Sequence, residues 1–188
     1  MKKSFINRTG ILFSVFGVLV FFLVTGCQNS QSSEESETIM TDLEDMGKSP
    51  WVLDIEEATV SNSSYRLARW SGEYMQMVLM SLKPGEIIDQ ELHGDIDQFI
   101  RIEEGEARVL MGKTKENLSF DKNVSHDWAI FIPAGYWHEV RNTGDIDLKL
   151  YTIYAPGEHA SGIHHETYDE AAEYHHDHDH DHDHDHDH

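Results

Sequence analysis

The stretch AIFIPAGYWHEVRN, residues 129–142, carries the pattern that decides the fold. A short apolar run leads into the turn residues PAG, and the chain then alternates between charged and uncharged side chains. Alternation of this kind is typical of a β-strand with one face in the protein interior. Because Glu139 and Arg141 must face water, His138 and Val140 face inward. The stretch therefore predicts two strands around a tight turn, with a histidine on the inner face of the second.

Similar short strands and turns extend in both directions from this stretch. No long helical period appears between residues 50 and 155. Regularly spaced short strands separated by turn residues predict an all-β sandwich or barrel. We expect residues 113–127, KTKENLSFDKNVSHD, to form a polar loop, and HETYDEAAEY, residues 165–174, to form the one helix. The other predicted strands are WVLDI, YRLARWS, YMQMVLMSL, QFIRIEE, EARVLMG and LKLYTIYA.

A second group of polar residues lies in ELHGDIDQF, residues 91–99. In the strand that follows, Gln98 shares a face with Ile100 and Ile102, while Arg101 alternates with them. The charged set must face water, so Gln98 points inward. Phe99 and Glu103 are expected on the outer face with Arg101, where Arg101 has a structural role.

Glu91 and His93 share a face of the preceding segment, but strand parity does not say which face it is. Ile88 and Leu92 lie on the opposite face by the same alternation. Any polar group that points into the barrel needs a partner, because burial without one is costly. A bound metal is one such partner.

The spacing of these residues resembles the two motifs of the cupin superfamily. The first motif is Gly, five residues, His-x-His, three or four residues, Glu, six residues and Gly. The second is Gly, five residues, Pro-x-Gly, two residues, His, three residues and Asn. Glu91, Gln98 and Asp127 depart from the residue types of the family. The corresponding positions are Gly85, Glu91, His93, Gln98 and Gly105 in the first motif, and Asp127, Pro133, Gly135, His138 and Asn142 in the second.

This resemblance implies a double-stranded β-helix, or jelly-roll barrel. In metal-binding cupins the motif positions hold one divalent metal; here they are Glu91, His93, Gln98 and His138. Two imidazoles and a carboxylate suit non-haem Fe(II), and also Mn, Ni or Zn. Gln98 is a weaker ligand that either binds the metal or orients a bound water. The alternative is a degenerate cupin whose polar interior binds only water or a small ligand.

The resemblance extends over residues 50–172 to a bacterial cupin subgroup often labelled mannose-6-phosphate-isomerase-like, a label that does not establish an activity. Three residues are candidate acid or base groups near the barrel mouth. Tyr136 follows the PAG turn, and His159 and His164 lie in GEHASGIHHET. The alternative for each is an ordinary packed or solvated side chain.

The N-terminus predicts a bacterial lipoprotein signal. Residues 1–26 contain a basic head, the fourteen-residue apolar run ILFSVFGVLVFFLV and small residues before Cys27. This pattern is typical of a secretory signal, and VTGC resembles the lipobox, in which the cysteine is diacylated. Two acyl chains anchor a protein stably to a membrane. Residues 27–49, rich in Ser, Glu and Gln, predict a disordered tether.

The net charge is −21. Because residues 1–26 contain three cations and no acid, the mature chain would carry −24. A surface this acidic is not suited to nucleic acid, which binds basic patches. With one cysteine, no intrachain disulfide can form, so the fold depends on its core.

The C-terminal segment, residues 173–188, is predicted as a disordered His/Asp-rich tail. Alternating His and Asp bind Zn, Ni, Cu or Co, because neutral imidazole is a good ligand for these ions. The alternatives are a solubilising tail or an engineered tag. The expected tail ligands are His175, His176, His178, His180, His182, His184, His186 and His188.

Together these features predict an extracytoplasmic metallocupin, anchored to the membrane by lipidated Cys27, that acts on a small-molecule substrate. Fe(II) in the barrel would suit a dioxygenase, and Zn or Mn an isomerase. The alternative is a non-catalytic lipoprotein whose tail buffers or senses metal. Cupins often form homodimers through their outer sheet faces, and the sequence leaves this open.

Overall fold

The computed structural model describes residues 43–179, with side chains described as far as Tyr174. The described residues form ten strands and two helices, which confirms the all-β prediction. The strands are β1 (Arg66–Ser71), β2 (Gln76–Leu82), β3 (Ile87–Leu92), β4 (Asp97–Glu104), β5 (Glu106–Gly112), β6 (Phe120–Ser125), β7 (Ala129–Ile132), β8 (Trp137–Asn142), β9 (Leu148–Ala155) and β10 (His164–His165). The helices are α1 (Ile55–Ser61) and α2 (Tyr168–Asp179).

The strands form two antiparallel sheets. One has six strands in the order β10-β1-β2-β9-β4-β7, and the other has four in the order β3-β8-β5-β6. Apolar residues from the inner faces of both sheets form a single buried cluster, as expected for a jelly-roll in which two inner faces pack together. Members of this core include Val78, Met80, Ile100, Ile102 and Leu150 from the first sheet, and Ile88, Val109 and Val140 from the second.

The parity predictions for β4 and β8 are confirmed with one exception. Gln98, Ile100 and Ile102 are buried, as are His138 and Val140. Glu103 was expected to face water but is also buried. The register of β4 against β9 shifts between Ile102 and Glu104, so Glu103 is an extra residue in the strand. Its carboxylate accepts a hydrogen bond from Arg101 Nε at 2.9 Å.

The strand predicted for WVLDI, residues 51–55, is wrong. The chain has no strand there, and helix α1 begins at Ile55. Asp54 is the N-cap residue, and its side chain accepts a hydrogen bond from the backbone N–H of Glu57 at 3.1 Å. Glu56 and Glu57 also lie in the first turn, where carboxylates are stabilised by the helix dipole. This local capping outweighs the short apolar run.

The prediction of a loop over residues 113–127 is also wrong in part, because Phe120–Ser125 forms β6. This strand pairs with β5 along its whole length and is the edge of the four-stranded sheet. Only Val124 is buried in it, so the alternating apolar pattern that marks a strand is missing. Charged residues such as Asp121 and Lys122 are typical of an exposed edge strand.

The residues that the structure describes include some on each side of residues 50–172. Helix α2 continues to Asp179, so the backbone of the first seven residues of the predicted tail, 173–179, is helical. In the segment predicted as a tether, Asp45 accepts hydrogen bonds from the backbone N–H groups of Gly47, Ser71 and Gly162. The predicted signal, Cys27 and the tail from His180 onward lie outside the described residues. Within residues 43–179, neither helix is long and apolar enough to cross a membrane.

Candidate metal centre

A bulge in β3 decides the direction of Glu91. Ile88 pairs with Val140 and Glu91 pairs with His138, so three steps along β3 match two steps along β8. The extra residue lets Ile88 and Glu91 face the same side, although strict alternation would separate them. Ile88 is therefore buried, while Leu92 is 41% exposed. The bulge settles what sequence parity left open.

The turn between β7 and β8 holds His93 in place. Gly135 has a φ of 73°, a conformation that glycine adopts without steric cost. Its backbone N–H donates to the carbonyl oxygen of His93 at 2.7 Å. The PAG turn of one motif is thus bonded to the histidine of the other.

Glu91, His93 and His138 converge on one point. Glu91 Oε1 lies 3.3 Å from His93 Nε2 and 3.1 Å from His138 Nε2. One ligand atom from each residue lies within 4.8 Å of the other two, and both imidazoles are buried. One carboxylate and two imidazoles at these separations could hold a divalent metal ion. We call these three residues the metal cluster.

The second ring nitrogen, Nδ1, of each histidine contacts a residue outside the metal cluster. His138 Nδ1 donates to the carbonyl oxygen of Tyr136 at 3.1 Å. His93 Nδ1 lies 3.4 Å from Glu158 Oε1. In protein metal sites the non-ligating imidazole nitrogen commonly donates to a carbonyl or carboxylate in this way, which fixes the ring and its tautomer. Both Nε2 atoms are therefore directed at the cluster.

The electrostatics of the cluster favour a positive charge at its centre. Burial alone would raise the pKa of Glu91, but hydrogen bonds from His138 and His93 hold it well below its usual range. Burial opposes the charged form of His93, yet its hydrogen bonds to Glu158 and Glu91 raise its pKa to about 9. The hydrogen bond from His93 also lowers the pKa of Glu158. A divalent ion would supply the positive charge that these carboxylates stabilise.

The hydrogen bonding of Gln98 indicates whether the residues around the metal cluster fit a metal ion. Its Nε2 donates to Thr152 Oγ1 at 3.1 Å. Its Oε1 is buried and accepts no hydrogen bond from any described residue. A buried carbonyl oxygen without a partner is costly, and a metal ion or a metal-bound water would satisfy it. Gln98 pairs with Tyr154, whose ring makes an edge contact with His93 at 5.7 Å. The donor set therefore fits a divalent metal.

A cleft of about 640 Å³ opens beside the cluster. Lys115 lies over the ring of Trp137 on one wall, with Nζ 5.3 Å from the ring centroid. On another wall the rings of Tyr65 and Tyr168 meet edge to face at 5.6 Å. The remaining lining residues are Arg66, Asp89, Gln90, Glu91, Leu92, His93, Glu158, Ala171 and Ala172. The cleft is large enough for a small molecule to reach the cluster.

None of the three candidate acid or base residues is among the described residues that line this cleft. The Tyr136 ring is half-buried beneath Lys113 Nζ, 3.7 Å from its centroid. The His159 ring lies 5.1 Å from that of Tyr154, which also contacts the ring of His93. His164 lies on β10, and its Nε2 is 2.9 Å from Ser64 Oγ. A catalytic role for any of them stays a prediction.

Two residues of the site were not found from the sequence. Thr152 shares the inner face of β9 with Tyr154, which parity could have shown. Glu158 comes from the loop after β9, and only the turn residues before it, Pro156 and Gly157, hint that the chain reverses there. No local pattern shows that this loop returns to His93.

Residues 78–154 match the family model of the cupin domain. The chain is also 48% identical over 141 residues to the uncharacterised protein YrkC of Bacillus subtilis (strain 168), and the match covers 75% of each protein. The chain belongs to the cupin family. This cupin is 46% identical over 114 residues to the uncharacterised protein L612 of Acanthamoeba polyphaga mimivirus, covering 60% of this chain and 69% of that protein. A crystal structure from Bacillus halodurans is 48% identical to this cupin, with a TM-score of 0.69, and the match covers 69% of this chain and 98% of that one.

Proposed function

We propose that this cupin binds one divalent metal through Glu91, His93 and His138 and acts on a small molecule held in the adjacent cleft. The observation that carries the proposal is the convergence of both Nε2 atoms on Glu91 Oε1. Gln98 Oε1 is either a fourth ligand or the acceptor for a metal-bound water, which accounts for its lack of a hydrogen bond.

Fe(II) in this site would supply oxygen activation for a dioxygenase, and Zn or Mn would supply Lewis-acid polarisation for an isomerase. The chain's own residues orient the ligands and shape the cleft. Glu158 and the carbonyl of Tyr136 fix the two imidazole rings. Burial raises the pKa of Tyr154 far above its usual range, so its phenol beside His93 stays protonated at neutral pH. The subgroup resemblance adds only a fold analogy to the isomerase alternative.

The location proposed for this activity is outside the cytoplasm, on a lipid anchor at Cys27. The sequence of residues 1–49 supports this location, because it contains the predicted signal, the lipobox-like VTGC and the predicted polar tether. A net charge of −21 supports the expectation that nucleic acid is not a partner.

A second candidate function is metal binding or buffering without catalysis. Eight histidines in the last fourteen residues favour it, since such a tract binds divalent ions whatever the barrel does. A measurement of substrate turnover distinguishes the two candidate functions. If the metal-loaded chain converts no candidate substrate and removal of the tail impairs growth at limiting or excess metal, the second function is the better account.

The metal site is tested in a full-length chain whose eight tail histidines are replaced by asparagine, here called the tail-silent chain. After loading with Fe(II), Mn, Ni, Cu or Zn in detergent solution, elemental analysis should find one ion per chain. Glu91→Ala combined with His138→Ala should remove it, while His126→Ala, an exposed histidine outside the cluster, should not. Absence of any bound ion in the tail-silent chain would exclude the metalloenzyme. Oxygen uptake and product screening then separate dioxygenase from isomerase.

A further inference from the structure

One wall of the cleft carries a lysine that two contacts hold in place. Lys115 lies in the segment between β5 and β6, within a turn in which the backbone N–H of Asn117 donates to the carbonyl oxygen of Thr114 at 3.1 Å. The carbonyl oxygen of Lys115 accepts a hydrogen bond from Gln90 Nε2 at 2.7 Å. Its ammonium nitrogen, Nζ, lies 5.3 Å from the centroid of the Trp137 ring. Both the backbone and the side chain of Lys115 are therefore fixed at the cleft.

The two residues that hold Lys115 are neighbours of metal-cluster residues along the chain. Gln90 precedes Glu91 on β3, and Trp137 precedes His138 on β8. Consecutive Cα atoms are only about 3.8 Å apart. The position of the lysine relative to the metal cluster is therefore set by the same two strands that carry two of the three cluster residues.

The carboxylates that line the cleft differ from Lys115 in having partners of their own. Asp89 Oδ1 accepts a hydrogen bond from the Tyr168 hydroxyl at 3.0 Å. Glu158 lies 3.4 Å from a ring nitrogen of the metal cluster, and the third carboxylate belongs to that cluster. The ammonium group of Lys115 forms no ion pair with any of the described residues. An ammonium group beside a cavity can bind an anionic ligand with a charge-assisted hydrogen bond.

The charges around the cleft also favour an anion once a divalent metal is bound. The charged lining residues are two cations, Arg66 and Lys115, and three carboxylates, Asp89, Glu91 and Glu158. The carboxylates exceed the cations by one charge, and a divalent ion held by neutral histidines reverses the sign. The chain as a whole carries −21. A locally positive cleft in such an acidic protein would concentrate anions beside the metal cluster.

We infer that the cleft takes a small organic anion and that Lys115 binds its charged group, a carboxylate or a phosphate. The inference rests on the proposed function, because it names the class of substrate on which the metal cluster would act. The Lys115 ammonium donates hydrogen bonds to the oxygens of the anion, and the rest of the molecule occupies the cleft, which the Tyr65 and Tyr168 rings also line. This contact is not covalent, so Lys115 determines specificity and takes no part in the chemical step.

Lys113 provides a matched control for Lys115. It belongs to the same segment, it is also exposed, and its Nζ lies 3.7 Å from the centroid of an aromatic ring, that of Tyr136. Lys113 is not among the described residues that line the cleft. The two lysines therefore have the same charge and similar ring contacts but differ in access to the cleft.

Isothermal titration of the zinc-loaded tail-silent chain with benzoate and with phenyl phosphate tests the inference, and benzamide is the uncharged probe. The tail-silent chain is used so that zinc on the tail cannot bind the anions. The variants are Lys115→Gln, which removes the charge, Lys115→Arg, which keeps it, and Lys113→Gln. The same titrations are repeated without zinc, and elemental analysis gives the zinc content of each chain.

We expect Lys115→Gln to weaken binding of at least one anion about tenfold, the usual loss when a hydrogen bond to a charged group is removed. Lys115→Arg should retain most of the affinity, and Lys113→Gln should change it by less than about twofold. Benzamide should bind at least about tenfold more weakly than the anion that shows the effect. Which anion shows the effect identifies the charged group as a carboxylate or a phosphate.

Three results would overturn the inference: equal anion affinities of the Lys115→Gln and Lys113→Gln chains, benzamide binding as tight as that of the anions, or no binding of either anion. The zinc content keeps the two proposals apart. A chain that binds no zinc but loses anion affinity on Lys115→Gln refutes the metal site and not the anion site. A chain that holds one zinc ion and binds the anions independently of Lys115 refutes only the anion site.

Discussion

Gln76 on β2 and Gln98 on β4 pair with Tyr154 of β9 from its two sides. Both glutamines are almost completely buried, but of the two only Gln76 has all its side-chain hydrogen-bonding groups satisfied. Gln76 Nε2 donates to Ser71 Oγ at 2.9 Å and to the His159 carbonyl at 3.0 Å. Its Oε1 accepts from the His159 backbone N–H at 2.9 Å. Gln98 uses only its Nε2, and its Oε1 has no described partner. Burial of a polar side chain is therefore not in itself a sign of function; unused hydrogen-bonding capacity is.

Two other buried polar side chains outside the metal cluster are hydrogen-bonded as Gln76 is. Lys149 Nζ donates to the Asn62 carbonyl at 2.7 Å and to Ser81 Oγ at 2.8 Å. Asn142, the last residue of the second motif, donates to the carbonyls of Leu82 and Ile146. Through these hydrogen bonds the two side chains join neighbouring segments of the chain. We expect them to affect folding and not ligand binding.

The largest effect should come from His93→Ala. Removing one of two imidazoles from a three-residue cluster should lower divalent metal affinity at least about 100-fold, since the remaining donors cannot enclose the ion. Isothermal titration of the tail-silent chain with Zn or Co measures the change, and His126→Ala is the matched control. A loss smaller than about tenfold would mean that the metal is bound elsewhere.

Gln76→Ala should separate folding from metal binding. It removes three hydrogen bonds and leaves the His159 N–H and carbonyl unsatisfied, so the free energy of unfolding should fall by about 2–3 kcal/mol. Metal affinity of the folded protein should stay within about twofold, because the hydrogen bonds described for Gln76 go to Ser71 and His159 and not to the metal cluster. Urea unfolding measures the first quantity and titration the second. A marked loss of affinity without loss of stability would reverse the roles assigned to the two glutamines.

Gln98→Ala should show the opposite pattern. We expect about a tenfold loss of metal affinity, at the lower end of what orienting groups around metal sites contribute. Stability of the metal-free protein should fall by only about 1 kcal/mol, because one hydrogen bond to Thr152 is lost and one unsatisfied oxygen is removed with it. Parallel measurement with Gln76→Ala makes the pair a matched comparison. Unchanged metal affinity would show that Gln98 plays no part at the ion.

Asp45→Asn should give the smallest effect of these substitutions, a loss of stability that is present only above acidic pH. Partial burial opposes its ionised form, but hydrogen bonds from Ser71, Gly162 and Gly47 lower its pKa below 3.8. A lowered folded-state pKa means that its stabilisation is present above pH 3.8 and is lost as pH falls through the folded-state value. Asp45→Asn should therefore destabilise the protein by about 1 kcal/mol at neutral pH and by progressively less in acid. Urea midpoints between pH 2 and pH 7 test this, and equal destabilisation at every pH would contradict it.

Residues of the candidate site could be predicted where the sequence pattern next to them shows their direction. They could not be predicted where their direction depends on distant parts of the chain. The inward direction of His138 and Gln98 was predicted correctly because charged neighbours on the same strands had to face water. Glu91 escaped the same reasoning because the bulge that orients it depends on pairing with β8. Glu158 escaped because a loop 65 residues after His93 returns to that ring, which only the closed barrel brings about.

One of the fold errors, the missed strand β6, has the same origin. β6 lacks alternation because its outer edge and faces meet water, so its existence depends on the backbone of β5 and not on its own side chains. In residues 51–55 the apolar run was given more weight than the capping signal of Asp54, which was equally visible. Motif spacing, in contrast, predicted the family and the jelly-roll, because it records which residues the closed barrel requires together.

The bulge at Asp89 and Gln90 also determines where this barrel tolerates a shortened chain. While it is present, three residues of β3 run beside two of β8. Deleting Gln90 would leave Glu91 opposite His138 in a regular ladder, so the metal ligands should survive. Deleting Leu92 would turn the imidazole of His93 to the outer face and abolish the site. A deletion that preserves the metal ligands and one that removes a ligand therefore lie only two residues apart. The metal content of the two deletion variants would distinguish them.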